Sequence, residues 1–241
     1  MKPLPAAELW AQLSGSPLFG LTITLIAYLA GEWLFKRSGQ KPLCNPVLIA
    51  IALIVALLWV AGLSYQRYFD GAQLIHFLLG PATVALAVPL HAYWRRLRQM
   101  ALPLVVGLFA GSATAAFSAM GLAWLLGASP ETVLSLGPKS VTTPIAMGVA
   151  EQIGGIPSLT AVLVILTGII GAVGFPGFFH RLNIRNHATQ GFAVGITSHG
   201  LGTARAFMIS EEMGAFAALG MGLNGILTAV ALPLVLSLLP R

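Results

Sequence analysis

The chain has 241 residues, of which 57% are hydrophobic and only 8% are charged, whereas soluble domains carry about 25% charged residues. Its mean hydropathy of +0.86 leaves too few polar residues for the exposed faces of a soluble core. We therefore expect most of the chain to lie in lipid. Since about 20 apolar residues cross the hydrocarbon core, the length allows about eight crossings and excludes a large extramembrane domain.

The net charge of +6 comes from short basic clusters between apolar runs. This pattern is typical of cytoplasmic anchors rather than of a nucleic-acid-binding surface. Cys44 is the only cysteine, and no Cys/His spacing in the sequence is typical of a zinc site. We therefore expect the lipid bilayer to be the main partner, with no nucleic acid, no metal and no cofactor.

The apolar runs predict an all-α polytopic membrane protein with about six to eight membrane segments, two or three of them discontinuous or re-entrant. After a leader at residues 1–16, one integral membrane domain is expected over residues 17–241. The first segment lacks a small-residue cleavage site and is interpreted as a retained helix. The predicted segments cover residues 18–35, 46–63, 72–94, 101–127, 131–153, 157–176, 188–210 and 213–238.

Basic clusters orient these segments. The clusters at residues 36–41 and 94–98 are both predicted to be cytoplasmic. A full crossing by residues 131–153 would place the basic loop at residues 180–187 on the opposite face. Either residues 131–153 re-enter and leave by the same face, or the charge rule fails at this loop; the sequence leaves both open.

Two short strings in the chain are similar: residues 79–84 (LGPATV) and, 57 positions later, residues 136–141 (LGPKSV). At this offset the third segment aligns with the fifth, the fourth with the sixth, the fifth with the seventh and the sixth with the eighth. The similarity is explained either by an internal repeat, as transporters often have, or by chance, because Gly-Pro is common in membrane proteins. Gly80, Pro81 and Pro89 are predicted to break the third segment.

The first unusual stretch lies at residues 137–147. Gly137, Pro138 and Pro144 predict a break, because proline frees a helical carbonyl and such backbone is tolerated at membrane depth only inside protein or beside water. The second half of the helix is expected to begin near Thr143, and its N-terminus favours anions. Lys139 and the hydroxyls of Ser140, Thr142 and Thr143 complete a predicted anion site. The alternative is an extramembrane loop with a snorkelling lysine.

The second unusual stretch lies at residues 197–206. Gly200 and Gly202 predict unwound backbone beside Ser198, His199, Thr203 and Arg205. An arginine at membrane depth costs about 2.5–3.5 kcal/mol on insertion scales, so either an acidic side chain or an anionic ligand is expected to neutralise it. A guanidinium suits carboxylates. For His199, ligand binding and a packing role are equally open.

Acidic and small residues complete the set of predictions. Glu151 lies eight residues after Thr143 on the same half-helix and is a candidate coupling residue, which would take a proton or pair with a cation. The small residues Gly107 and Gly111, and Gly214, Ala218 and Gly222, are predicted to allow close helix packing. Such faces permit a homodimer without requiring one.

Three strings carry a resemblance to a known family: residues 81–90 (PATVALAVPL), 138–146 (PKSVTTPIA) and 198–204 (SHGLGTA). They resemble signatures of the LrgB/CidB family of bacterial cytoplasmic (inner) membrane proteins. Family members are described as antiholin-like proteins or murein-hydrolase modulators. The related half of a plant plastid protein is a glycolate/glycerate translocator, and some bacterial members act with a small LrgA-type partner in pyruvate transport.

The resemblance implies small monocarboxylates as substrates. The plant fusion carries an LrgA-like N-terminal half where this chain has only its short leader, so the need for a separate LrgA/CidA-type membrane protein stays open.

The leading hypothesis is therefore a secondary carrier of small anionic solutes of the glycolate, glycerate, lactate or pyruvate class. The alternative is a holin-like or antiholin-like protein that modulates murein hydrolase activity and autolysis. A membrane enzyme is not expected, because the membrane segments offer no paired carboxylates, no nucleophile beside a base and no metal cluster.

Overall fold

The computed structural model describes residues 16, 18–39 and 41–238, so almost all of the expected leader lies outside the described residues. These residues form α-helices joined by short turns and contain no strand, which confirms the all-α fold. They divide into two compact units, Met1–Ala85 and Leu86–Arg241, where the sequence predicts one membrane domain.

The first unit contains a helical hairpin and a third helix. Asn45 starts the second helix, because its side chain accepts a hydrogen bond from the Val47 N–H at 2.9 Å while Pro46 needs no donor of its own. Gly31 lets the first helix approach the backbone of Pro46. The helices of this unit are α1 (Phe19–Arg37), α2 (Pro46–Val60) and α3 (Tyr65–Ala85), with a 3₁₀ turn at Pro42–Cys44.

The second unit carries the remaining helices described. They are α4 (Ala87–Ala92), α5 (Trp94–Gln99), α6 (Ala101–Leu125), α7 (Pro130–Leu136), α8 (Thr143–Ile153), α9 (Pro157–Arg181), α10 (His187–Phe207) and α11 (Glu211–Leu238).

Four of the described helices are long and apolar enough to cross a membrane: Leu18–Arg37, Ala101–Leu125, Pro157–Arg181 and Glu211–Leu238. A fifth span results if the bent pair Tyr65–Ile75 and Gly80–Ala92 is counted as one. These helices confirm a polytopic helical membrane protein.

The third segment is bent over the turn that precedes Gly80 and Pro81 and is helical at Pro89. The helix bends before Gly80, and α3 continues through Gly80 and Pro81 to Ala85. Pro89 lies within the first turn of α4, where a missing N–H removes no intrahelical hydrogen bond. The helix is therefore not broken at Pro89 itself.

Residues 130–156 form a re-entrant segment, here called the first hairpin. The Ser135 hydroxyl accepts a hydrogen bond from the Ile156 N–H at 2.7 Å, and the Thr160 hydroxyl donates to the Ser135 carbonyl at 3.0 Å. A continuous helix would separate Ser135 from Ile156 by about 30 Å. The chain therefore turns back after α7, and α8 returns it to the start of α9.

Residues 187–210 form a second hairpin, within the stretch predicted as a single interrupted segment. The Ser210 hydroxyl lies 2.9 Å from Nδ1 of His187, whereas a straight helix would separate these residues by about 35 Å. The reversal occurs at His199, whose backbone has φ 40° and ψ −134°. A β-carbon on Gly202 would lie 2.7 Å from a methyl group of Val194, so the two limbs, residues 187–198 and 200–207, pack directly on each other.

The two hairpins point in opposite directions along α9. We call the point where each hairpin reverses its tip and the end where its two limbs enter and leave its mouth. The tip of the first hairpin, at Val141, packs on Val164, while its mouth contacts the start of α9. The tip of the second hairpin, at His199, also bonds to Val164, while Val194 and Ala206 on its limbs cluster with aromatic side chains near the end of α9. The tips therefore meet at the same level of α9, and the mouths open towards opposite ends of this helix.

The 57-residue offset recurs in this arrangement. The second hairpin and α11 span His187–Leu238, and each bound lies 57 positions after the corresponding bound of α7 to α9, Pro130–Arg181. Each of these two repeats, both within the second unit, consists of a hairpin followed by a long crossing helix. The predicted alignment of the fifth and sixth segments with the seventh and eighth thus corresponds to two structural copies in inverted orientation.

Basic residues gather at one face of the second unit. Leu104 near the start of α6 clusters with Ala188 near the start of α10, and Arg96 forms an ion pair with Glu212 at the start of α11. The described arginines at this face are Arg95, Arg96, Arg98, Arg181 and Arg185. Re-entry thus brings the two basic stretches to the same face, which is the distribution of charge that the positive-inside rule predicts for a cytoplasmic face.

Close packing of α10 on α11 depends on glycine. A β-carbon on Gly191 or Gly195 would overlap a backbone carbonyl of α11, and one on Gly220 would lie 2.6 Å from the Phe192 carbonyl oxygen. Gly222, by contrast, has no described atom within 4 Å of its β-carbon position. Gly222 therefore takes no part in the packing of α10 on α11, because this residue lies on the other side of α11.

Candidate functional site

The tip of the first hairpin carries the predicted lysine. Ser140 is buried and Lys139 is half-buried, and the Lys139 Nζ donates a hydrogen bond to the Ser140 Oγ at 3.3 Å. The helix α8 begins at Thr143, as the sequence predicts, and the Thr142 side chain makes no capping hydrogen bond. The first N–H groups of α8 therefore lie at the tip without a side-chain cap from Thr142.

The tip of the second hairpin is held closely against α9. Nε2 of His199 lies 2.9 Å from the Val164 carbonyl, and because a carbonyl only accepts, Nε2 carries a proton. The ring of His199 fills the space over Gly168, and the Ser198 hydroxyl lies on Gly171. His199 thus has a hydrogen-bonded, buried position.

Thr203 lies one turn beyond the reversal. Its hydroxyl donates to the His199 carbonyl at 2.8 Å, so this predicted site residue stabilises the backbone of the second tip. Beside that tip is a cavity of about 380 Å³ lined partly by Gly171, Phe175, Thr197 and Ser198. The Thr197 and Ser198 hydroxyls lie 3.3 Å apart and give this otherwise apolar cavity a polar end.

Two half-helices begin at the meeting tips. One is α8, which starts at Thr143, and the other is the returning limb of α10, which starts at Gly200. Each N-terminus carries a partial positive charge and unsatisfied N–H groups. With Lys139 added, the region between the tips is electrostatically suited to a small anion.

Asn224 joins the two tips and was missed by the sequence analysis. Its amide donates to the Ile196 carbonyl at 2.8 Å and to the Ser140 carbonyl at 3.4 Å. A polar residue in the middle of the apolar run at residues 213–238 was the available signal, because polar side chains within a span bond to neighbouring helices.

Similarity to known proteins covers both hairpins. The LrgB-like family model matches residues 24–238. The chain belongs to the LrgB family. It is 36% identical over 220 residues to "Uncharacterized protein YwbG" of Bacillus subtilis (91% of this chain, 97% of the relative). It is 30% identical over 219 residues to "Antiholin-like protein LrgB" of Bacillus cereus (91% and 95%).

A further Bacillus subtilis relative, "Uncharacterized protein YxaC", is 38% identical over 215 residues, which cover 89% of this chain and 93% of the relative. No solved structure shows significant similarity to the chain. Sequence similarity therefore assigns nearly the whole chain to the LrgB family, whereas no solved structure supports the description of its architecture.

Two predicted site residues of this LrgB-family protein lie away from the tips. Arg205 is buried, with 8% of its surface exposed, but it follows the reversal by six residues, or about 9 Å along a helix. Its neighbour Ala206 clusters with Phe179 and Met213 towards the mouth of the second hairpin. Glu151 is exposed near the end of α8, at the mouth of the first hairpin.

The structure thus brings the predicted residues of each string to a separate tip and leaves Arg205 and Glu151 on limbs. A cavity of about 560 Å³ lies at the basic mouth of the second hairpin and is lined partly by His180, Asn183, Arg185, His187 and Gln190. Among the described residues, no group of three or more His, Cys, Asp or Glu side chains is arranged to hold a metal ion.

Proposed function

We propose that this LrgB-family protein is a secondary carrier of small monocarboxylates, of the glycolate, glycerate, lactate or pyruvate class, in the bacterial cytoplasmic membrane. The observation that carries the proposal is the meeting of two oppositely directed hairpins at one level of α9. Each hairpin separates the meeting point from one face of the membrane. Opening one hairpin at a time would give alternating access between inverted repeats.

The meeting point also suits the charge of the substrate. The Lys139 ammonium, the hydroxyls of Ser140, Thr142 and Thr143 and the first N–H groups of α8 would bind the carboxylate. Ser198, at the other tip, would face the part of the substrate beyond its carboxylate. Such small solutes are dominated by their carboxylate, so one cation and two helix N-termini supply most of their recognition.

The second cation has a separate place on the path. The cavity at the basic mouth of the second hairpin would attract anions, and the buried Arg205 lies between this mouth and the tip. In this proposal Lys139 binds the carboxylate of the substrate at the tips, and Arg205 contacts the substrate as it moves along the second hairpin. Glu151 stays a candidate coupling residue at the mouth of the first hairpin.

Counterflow in proteoliposomes tests the carrier. A panel of labelled monocarboxylates is offered to wild-type protein and to Lys139→Gln, Arg205→Gln and Lys41→Gln, the last removing an exposed lysine as a matched control. We expect saturable exchange that Lys139→Gln reduces about 30-fold, Arg205→Gln reduces less and Lys41→Gln retains. Saturable exchange that persists unchanged in Lys139→Gln would overturn the site assignment.

The second candidate is an antiholin-like protein that modulates murein hydrolase activity, and the Bacillus cereus relatives, which are named antiholin-like proteins, favour it. This function would act through assembly, with an LrgA/CidA-type membrane protein as the proposed partner. It predicts unsaturable leakage or altered autolysis that survives Lys139→Gln, together with co-purification of the partner. Absence of saturable exchange for every monocarboxylate in the panel would favour this candidate over the carrier.

A further inference from the structure

Asn224 occupies the centre of the second unit. It lies halfway along α11, and only 1% of its surface is exposed. Its Oδ1 accepts hydrogen bonds from the Ser112 hydroxyl of α6 at 2.5 Å and from the Thr228 hydroxyl at 3.3 Å. Since both hydroxyls donate to Oδ1, they orient the amide so that Nδ2 faces the two hairpins.

The two carbonyls that Nδ2 meets both belong to helix breaks. The carbonyl of Ile196 would pair with the Gly200 N–H in a continuous helix, but the non-helical His199 lies between them. Ser140 lies in the turn between α7 and α8. Because buried carbonyls need a donor, one amide serves a break in each hairpin, at 2.8 Å and 3.4 Å.

We propose that Asn224 is a positioning residue that holds the two hairpin tips in register for anion binding. This inference rests on the proposed carrier function. By binding the Ser140 and Ile196 carbonyls, the amide turns their negative ends away from the anion, so that Lys139 and the N-termini of the two half-helices face it. Without the amide donors, two unpaired carbonyls would lie beside the carboxylate and repel it.

The test compares Asn224→Asp with Thr228→Val in the full-length protein. The aspartate keeps the shape of the side chain, removes both donors and, when ionised, adds a negative charge, whereas the valine removes only the 3.3 Å hydroxyl contact. At pH 7 we expect Asn224→Asp to raise the KM for the wild type's best substrate by about tenfold or more, the effect of about one unpaired buried hydrogen-bonding group. Thr228→Val should stay within about twofold.

Acidification supplies a readout that a general packing role would not move. When the introduced carboxyl is protonated, its hydroxyl can donate one of the two lost hydrogen bonds. The ratio of the KM of Asn224→Asp to the KM of wild type, measured at the same pH, should therefore fall towards 1 as the pH is lowered from 7 to 5. A ratio that stays constant across this range, or equals 1 at pH 7, would overturn the inference.

Hydrogen–deuterium exchange tests the same residue without transport. In Asn224→Leu we expect faster exchange in peptides that contain residues 139–143 and 196–201, and unchanged exchange in residues 174–181 of α9, which lie in the same unit but away from the tips. Acceleration in all three peptides would show general loss of stability and would contradict a positioning role. If Asn224→Leu yields no folded protein, Ser112→Ala, which removes the shorter of the two hydroxyl contacts that orient the amide, should show the same pattern more weakly.

These outcomes separate the two proposals. If the wild-type protein transports no monocarboxylate, the proposed carrier function is wrong. Hydrogen–deuterium exchange still decides in that case whether Asn224 joins the tips. If wild type exchanges a monocarboxylate and Asn224→Asp does so with an unchanged KM, the carrier stands and the positioning role of Asn224 is wrong.

Discussion

The two hairpins reach the same level of α9 by different means. In the first, the chain turns through residues 137–142 between separate helices, and the tip carries a lysine bonded to its neighbouring serine. In the second, the reversal is concentrated at His199, which is bonded to α9 and to Thr203. We infer that the first tip supplies ligand chemistry and that the second supplies a fixed surface, so substitutions should affect transport at one and stability at the other.

The largest expected effect is at the contact of the second tip with α9. Gly171→Val would place a side chain where the Ser198 hydroxyl lies, so the tip could no longer seat on α9. We expect loss of folded protein or a destabilisation of about 3 kcal/mol, measured by thermal unfolding in detergent. Gly174→Val is the control, because no described atom lies within 4 Å of its β-carbon position; equal damage from both would show that the second tip is not held at Gly171.

The next effect is at the first tip. Lys139→Gln removes a charge-assisted contact worth about 2 kcal/mol, so uptake should fall about 30-fold. Folding should not suffer, because a cation at membrane depth is itself costly. Uptake and melting temperature measured on the same preparation check this, and a large drop in melting temperature would contradict the division between the tips.

A smaller effect is expected at His199. His199→Ala loses the hydrogen bond to the Val164 carbonyl and should cost about 1–2 kcal/mol of stability. His199→Gln keeps an N–H donor and should recover part of that loss. If His199→Gln regained stability but lost all uptake, the imidazole would have a direct role in binding, and the contrast between the hairpins would need revision.

The smallest effect is expected at Thr203. Thr203→Val removes the hydroxyl that donates to the His199 carbonyl and should cost about 1 kcal/mol with little change in KM. Thermal unfolding and uptake together check this. Gly222→Ala is the matched neutral substitution, expected within about 0.5 kcal/mol of wild type.

Much of the second unit could be predicted from local chemistry. The start of α8 at Thr143 follows from Pro144, which fits the first turn of a helix, and the 57-residue offset follows from the repeated Leu-Gly-Pro. The positions of Arg205 and Asn224 could not be predicted in this way. The length of each limb before its reversal decides which side chains lie at the tips. No residue pattern within a limb predicts that length.

The sequence by itself determined that the protein is helical, that it lies in the membrane and that helices are interrupted within residues 137–147 and 197–206, because these properties depend on hydropathy and on glycine and proline within single segments. Only the tertiary structure decided between crossing and re-entry. An interrupted helix satisfies its local backbone whether the chain continues or turns back, and packing decides which occurs. At residues 130–156 the contacts of Ser135 with the start of α9 turn the chain back, and at His199 the bond to Val164 does so.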